Sequence, residues 1–107
     1  MWMRTALIVT AFIAATVTAP VHASTSLARS KNCLECHAVD KEITGPSFTA
    51  VAKRYKGIPN AEQKLAENIK KGCADHWGPN VMPPAGMGAW KVSDGEAKKL
   101  ARWILGL

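Results

Sequence analysis

Cys33-Leu34-Glu35-Cys36-His37 sets two thiols on one turn of chain and an imidazole directly after them. Three chemistries use such a pattern. A thioredoxin-like dithiol wants a βαβ context, and no segment here shows the strict apolar/polar alternation of a strand. A zinc site could combine Cys33, Cys36 and His37 with Cys73 and His76, which repeat a Cys-x-x-His spacing. A disulfide between Cys33 and Cys36 would close a strained ring. Covalent haem attachment uses the whole run: the two thiols reach the two vinyl groups on one porphyrin edge, and the next residue turns its imidazole to the iron. That reading accounts for every motif residue.

The rest of the chain fits a small exported domain. Arg4 lies in a short charged start, and the uncharged apolar run Ala6–Ala19 follows. The run is short for a membrane span, and Val21-His22-Ala23 supplies the small-residue pattern of a cleavage site. Residues 1–23 therefore read as a secretory signal peptide cut after Ala23, and 24–107 as one mature domain, with no stable membrane anchor. A domain this small needs a staple beyond its own side chains, and a covalent cofactor supplies one. The full chain has a formal net charge of +6. Export argues against nucleic acid, so the scattered basic residues are read either as ordinary solvated helix faces, which covers most of them, or as steering toward an acidic protein partner.

Four helices are predicted. The first covers about Ser26–Cys36, and the second about Ser47–Tyr55 after Gly45-Pro46. The third covers about Ala61–Lys71, with Asn60 as cap and Gln63 completing a capping-box pattern. Its apolar face is Ala61, Leu65 and Ile69, and Gly72 stops it. The fourth covers about Asp94–Leu105, opened by the Ser93/Glu96 capping box, with Ala97, Leu100, Ala101 and Ile104 as its buried stripe. Between the last two lies an irregular, Gly- and Pro-rich stretch, Cys73–Val92, too long to be an idle connection.

That stretch holds the candidate for the second axial iron ligand. Met82 sits in Trp77-Gly78-Pro79-Asn80-Val81-Met82-Pro83-Pro84. The prolines rigidify the loop, so a thioether is presented at little entropic cost, and Met/His ligation suits an electron-transfer haem. Met87, in Ala85-Gly86-Met87-Gly88, lies in a more flexible setting and is the weaker candidate.

CLECH at 33–37, Thr44-Gly45-Pro46, WGPNVMPP at 77–84 and the closing VSDGEAKKLARWILGL together resemble the small class I bacterial c-type cytochromes of the cytochrome c-551 kind. The likeness spans nearly all of the mature chain. It implies an all-α fold of about four short helices around one covalently attached haem c, with the N- and C-terminal helices crossing. It implies His37 and Met82 as axial ligands and Cys33 and Cys36 as haem thioethers. The Pro46 carbonyl would accept the Nδ1–H of His37, and Trp77 would hydrogen-bond a haem propionate. Three departures stand out. Ala85 follows Met-Pro-Pro where relatives often have Asn, Gly86–Lys91 looks like an insertion, and Asn68 replaces an Arg that relatives often carry on the third helix. His76, beside Trp77, could make the potential pH-dependent.

The function implied is a periplasmic electron carrier, not an enzyme, moving one electron by outer-sphere transfer between a donor and an acceptor redox protein. The alternatives are a haem-bearing subunit of a larger complex and, were Met82 not a ligand, an open-site sensor. The docking patch is read as Leu34, Ile43, Val81, Pro83 and Pro84. The domain is read as a monomer; Cys73, the odd thiol, is assigned to burial, with a disulfide dimer as the alternative.

Overall fold

Asn32 divides what the sequence pattern predicts as one N-terminal helix. The computed structural model describes residues 10–15, 21–74, 76–86 and 91–107, and α1 (Val21–Ser30) ends two residues before Asn32. Asn32 adopts φ 60°, ψ 19°, a left-handed conformation that Asn tolerates better than most residues. A single 3₁₀ turn, Cys33–Glu35, follows. The expected helix over 26–36 is thus a helix, a break and a tight turn, and the cysteine motif sits on the turn. Most of the apolar run, and Met87, lie outside the described residues.

The other helices are α2 (Phe48–Tyr55), α3 (Ala61–Lys71) and α4 (Asp94–Leu105). Among the described residues there is no strand, and two isolated antiparallel bridges join His37 to Glu42 and Cys73 to Met82. Ser47 caps α2 by accepting from the Ala50 amide at 3.1 Å, so Pro46 lies just outside the helix. The cap expected of Asn60 is absent. Its φ of 57° is left-handed and not the extended backbone of a capping residue, its side chain makes no cap hydrogen bond, and Gln63 donates to Glu67 instead, at 3.3 Å. Gly72, with φ 74°, ends α3.

At α4 both halves of the capping box form. The Glu96 amide donates to Ser93 Oγ at 3.1 Å, and the Ser93 amide to Glu96 Oε1 at 3.0 Å. Two orphan amides of the first turn are thereby satisfied. Glu96 also pairs with Lys31 at 3.3 Å, which ties the end of α1 to the start of α4.

The fourth helix is the common partner: α1, α2 and α3 all pack on it. Its stripe Ala97, Leu100, Ala101 and Ile104 is buried, against Leu65, Ala66 and Ile69 of α3, Phe48 and Val51 of α2, and Ala28 of α1. Leu100 and Val92 are the largest side chains fully removed from water, each contributing about 1.5–3 kcal/mol. The small residues at 97 and 101 let the neighbouring helices come close.

Replacing Ser93 with Ala in the mature holoprotein is expected to cost about 0.5–2 kcal/mol of stability in urea unfolding, with no change in the visible spectrum. The Glu96 carboxyl is held below the usual range, first by the Ser93 amide hydrogen bond and then by Lys31 and the Ser93 hydroxyl. A depressed carboxyl adds stability that is fully present above its unfolded value, about pH 4.3, and is lost as pH falls through its lower folded value. Glu96→Gln keeps the hydrogen bond without the charge, so its acid limb of stability is expected to be shallower than that of the wild type below about pH 4.

Candidate functional site

Two loops form the site, one on each side of a cleft. On the first, the Cys33 carbonyl accepts from both the Cys36 and His37 amides, at 3.3 and 3.0 Å, which tightens the turn carrying the thiols. The chain then folds back on itself. The Gly45 amide donates to the Cys36 carbonyl at 2.7 Å, and the amides of Phe48 and Thr49 donate to Ala38 and Val39 at 2.9 and 3.0 Å.

This closure brings the His37 ring onto Gly45-Pro46. Nδ1 of His37 donates to the Pro46 carbonyl oxygen at 2.8 Å. A carbonyl oxygen only accepts, so Nδ1 carries a proton, and in the neutral imidazole it is Nε2 that keeps the lone pair. The approach requires glycine at 45, because a Cβ there would stand 2.5 Å from Cε1 and 2.8 Å from Nδ1. Phe48 stacks on the imidazole with centroids 5.0 Å apart and planes 20° apart, and Trp103 meets Phe48 edge-on at 5.3 Å. The ring is thus fixed by a hydrogen bond, a backbone wall and an aromatic stack.

The second loop hangs from the end of α3. Cys73 and Met82 exchange backbone hydrogen bonds of 3.1 and 2.8 Å. The last carbonyls of a helix have no partner within it, and here the loop supplies them: the amides of Ala85 and Gly86 donate to Ile69 and Lys70 at 3.1 and 3.0 Å. Gly72 is needed for its positive φ and because a Cβ would run into the Met82 carbonyl. Asn80 Nδ2 donates across to the Thr44 carbonyl at 2.9 Å and clasps the two loops together.

The cleft encloses about 840 Å³ of non-atom space, partly open to solvent, and its walls include Cys36, His37, Pro46, Trp77 and Met82. Cys33 is half-buried and packs against the core beside it. Cys73, also half-buried, lines the same cleft. None of the three cysteines forms a disulfide, and burial raises the Cys33 and Cys73 thiols above the usual value. Among the described residues no cluster of three or more His, Cys, Asp or Glu side chains is assembled as a metal site, so the alternative zinc set is not brought together. Of the expected docking patch, Ile43, Val81, Pro83 and Pro84 are exposed, but Leu34 leans on the core.

Four contributors to the site escape a reading of the sequence: Gly45, Phe48, Asn80 and Arg54. Arg54 donates to the His76 carbonyl and lies over the Trp77 ring. Gly45 carries a usable signal, since a glycine next to proline soon after a histidine marks a close backbone approach. The other three act across longer sequence separations and carry none.

The donors fit a haem. An imidazole with a free Nε2 and a thioether line one largely apolar space, with thiols at its edge, and these are the ligand types that hold haem iron and its porphyrin. A family model described as Cytochrome c matches residues 23–107. Cytochrome c-551 of Pseudomonas aeruginosa is 43% identical over 79 residues, covering 74% of this chain and 71% of that one. Cytochrome c-552 of Hydrogenobacter thermophilus is 42% identical over 85 residues, covering 79% and 82%. The crystal structure of wild-type Nitrosomonas europaea cytochrome c552 superposes with a TM-score of 0.71 at 40% identity, covering 78% of this chain and 98% of that one. Likeness of this extent in sequence and in fold makes the chain a member of the cytochrome c family, whose haem c is attached covalently at the motif that Cys33 and Cys36 occupy here.

Proposed function

We propose that the mature domain is a one-electron carrier of the periplasm, working by outer-sphere transfer between larger redox proteins. In this reading Cys33 and Cys36 hold haem c through thioethers, and His37 and Met82 are the axial ligands. The observation that carries it is the cleft itself: His37, with its Nδ1 proton committed to Pro46, and Met82, held by its backbone to the end of α3, line one space. The bound group supplies one-electron iron chemistry, with a potential raised by Met/His ligation.

The chain's own residues then have separate tasks. Pro46 fixes the His37 tautomer and makes the imidazole the stronger donor. Gly45 and Phe48 hold the ring plane, so its geometry stays the same when the site gains or loses charge. Pro83 and Pro84 lack amide protons and keep the Met82 loop stiff. Trp77 presents an indole N–H for a haem carboxylate. Were His37 and Met82 both to hold the iron, no position would be left for a ligand from solvent, which is why the reading is a carrier and not an enzyme.

The rim of the cleft suits brief docking. Ile43 and Val81 are 49% and 68% exposed, with Pro83 and Pro84 also at the surface. A small apolar contact approached under long-range attraction between a basic carrier and an acidic partner lets a complex form fast and dissociate fast. The domain is read as a monomer, with Cys73 half-buried on the cleft wall, where burial disfavours its use in a cross-link. Export rests on the charged start and apolar run of residues 1–23. Phe12 and Ile13, 97% and 90% exposed, take no part in the core. Among the described residues no helix is long and apolar enough to cross a membrane.

The optical spectrum of protein matured in a host with haem-attachment machinery tests the ligation. Sharp low-spin bands on reduction are expected, with a weak near-infrared band in the oxidised form. Met82→Ala should abolish the near-infrared band and yield a high-spin iron that binds carbon monoxide; a low-spin, carbon monoxide-insensitive Met82→Ala protein would remove Met82 from the site. Intact mass of the secreted protein is expected to equal residues 24–107 plus one haem, and a mass retaining residues 1–23 would overturn the cleavage assignment.

A further inference from the structure

Arg54, in the last turn of α2, makes two contacts with the second loop of the site. Its Nη1 donates to the carbonyl oxygen of His76. Its guanidinium carbon lies 4.4 Å from the centroid of the Trp77 ring. One planar group therefore holds two consecutive residues, fixing the turn by a directed hydrogen bond and the tilt of the indole by stacking. A guanidinium can do both at once because its donors lie in the plane whose face stacks, and a lysine ammonium cannot.

The position matters because Trp77 and His76 line the cleft, and so do Tyr55 and Asn68. Tyr55 and Asn68 are neutral and satisfy one another, with Asn68 Nδ2 donating to Tyr55 Oη at 2.8 Å. Among the described residues no carboxylate forms an ion pair with Arg54. Its positive charge is thus paired with no described carboxylate beside these polar residues. A fixed cation next to a redox site opposes the extra positive charge of the oxidised form.

We propose that Arg54 is a positioning residue of the haem site, clamping the His76–Trp77 turn so that the indole is held on the cleft wall, and that its positive charge raises the reduction potential. The second half rests on the electron-carrier reading above. The clamp does not.

The test uses mature holoprotein, wild type against Arg54→Gln and Arg54→Lys. Exchange of the Trp77 indole proton is followed by NMR in the reduced state, and the reduction potential is measured at low and high salt. In Arg54→Gln the indole proton should exchange about tenfold faster as the turn opens locally. The low-spin spectrum should persist, and the redox equilibrium should shift toward the oxidised form by roughly threefold at low salt, less at high salt. Arg54→Lys keeps the charge and should keep most of the potential, yet exchange as fast as Arg54→Gln. Unchanged exchange and potential in Arg54→Gln would overturn the proposal. If that variant does not accumulate with haem, unchanged exchange in Arg54→Lys overturns it equally. Failure of the carrier reading would show separately, as a high-spin wild-type spectrum, and would leave the indole measurement valid.

Discussion

The hydrogen bond from His37 Nδ1 to the Pro46 carbonyl is the contact on which the rest of the site depends. It needs a carbonyl aimed at the ring, and several local features aim it. Ser47 caps α2, so the backbone just before the helix is extended and Pro46 cannot join it. The amides of Gly45 and Phe48 are spent on Cys36 and Ala38, which fixes both ends of the short segment bearing that carbonyl. Glycine at 45 allows the ring to lie on the backbone itself. With Nδ1 committed as donor, the tautomer follows without further choice, and the free ring nitrogen is Nε2.

The opposite wall solves a different problem. A long irregular loop carries Met82 without the support of a helix, and it is held by borrowing the unpaired end of α3. The carbonyls of Ile69 and Lys70 accept from Ala85 and Gly86, while Cys73 pairs with Met82. Backbone groups that would otherwise be orphaned at a helix terminus thus become the anchor of the loop. The helical core enters the site only at its edge, through residues such as Phe48, Leu65, Ile69 and Ile104 that line the cleft. The packing of α1, α2 and α3 on α4 sets the distance between the two walls, and the Asn80–Thr44 contact closes them at the rim.

Much of this architecture is legible in the amino-acid sequence. Helices α3 and α4 carry periodic apolar faces and strong stops, and their spans match the expectation, as does α2 to within a residue. The capping box at Ser93 and Glu96 is legible because it is local. The first helix reads too far toward the C-terminus, with α1 running from Val21 to Ser30, because a left-handed Asn32 has no periodic signature and a helical pattern continues across it. Asn60 misleads for a related reason: its identity suits a cap, but its backbone adopts φ 57° and its side chain makes no cap hydrogen bond. Leu34 reads as surface because it sits inside a motif, whereas in the fold it packs on the core. The cross-loop contacts of Asn80 and Arg54 span 36 and 22 residues, beyond any local pattern.

Three thiols in one small chain raise the question of how one is kept out of the chemistry of the others. Burial raises both Cys33 and Cys73, so the shift does not distinguish them. What separates them is backbone. Cys33 sits on a 3₁₀ turn with Cys36 three positions on, the arrangement that lets two sulfurs reach one porphyrin edge. Cys73 is locked by both its amide and its carbonyl to Met82, on the opposite loop of the cleft. Moving its sulfur toward the attachment turn would break that pairing, and with it the support of the Met82 loop. The pairing that steadies Met82 is therefore also what holds the third thiol apart from the other two.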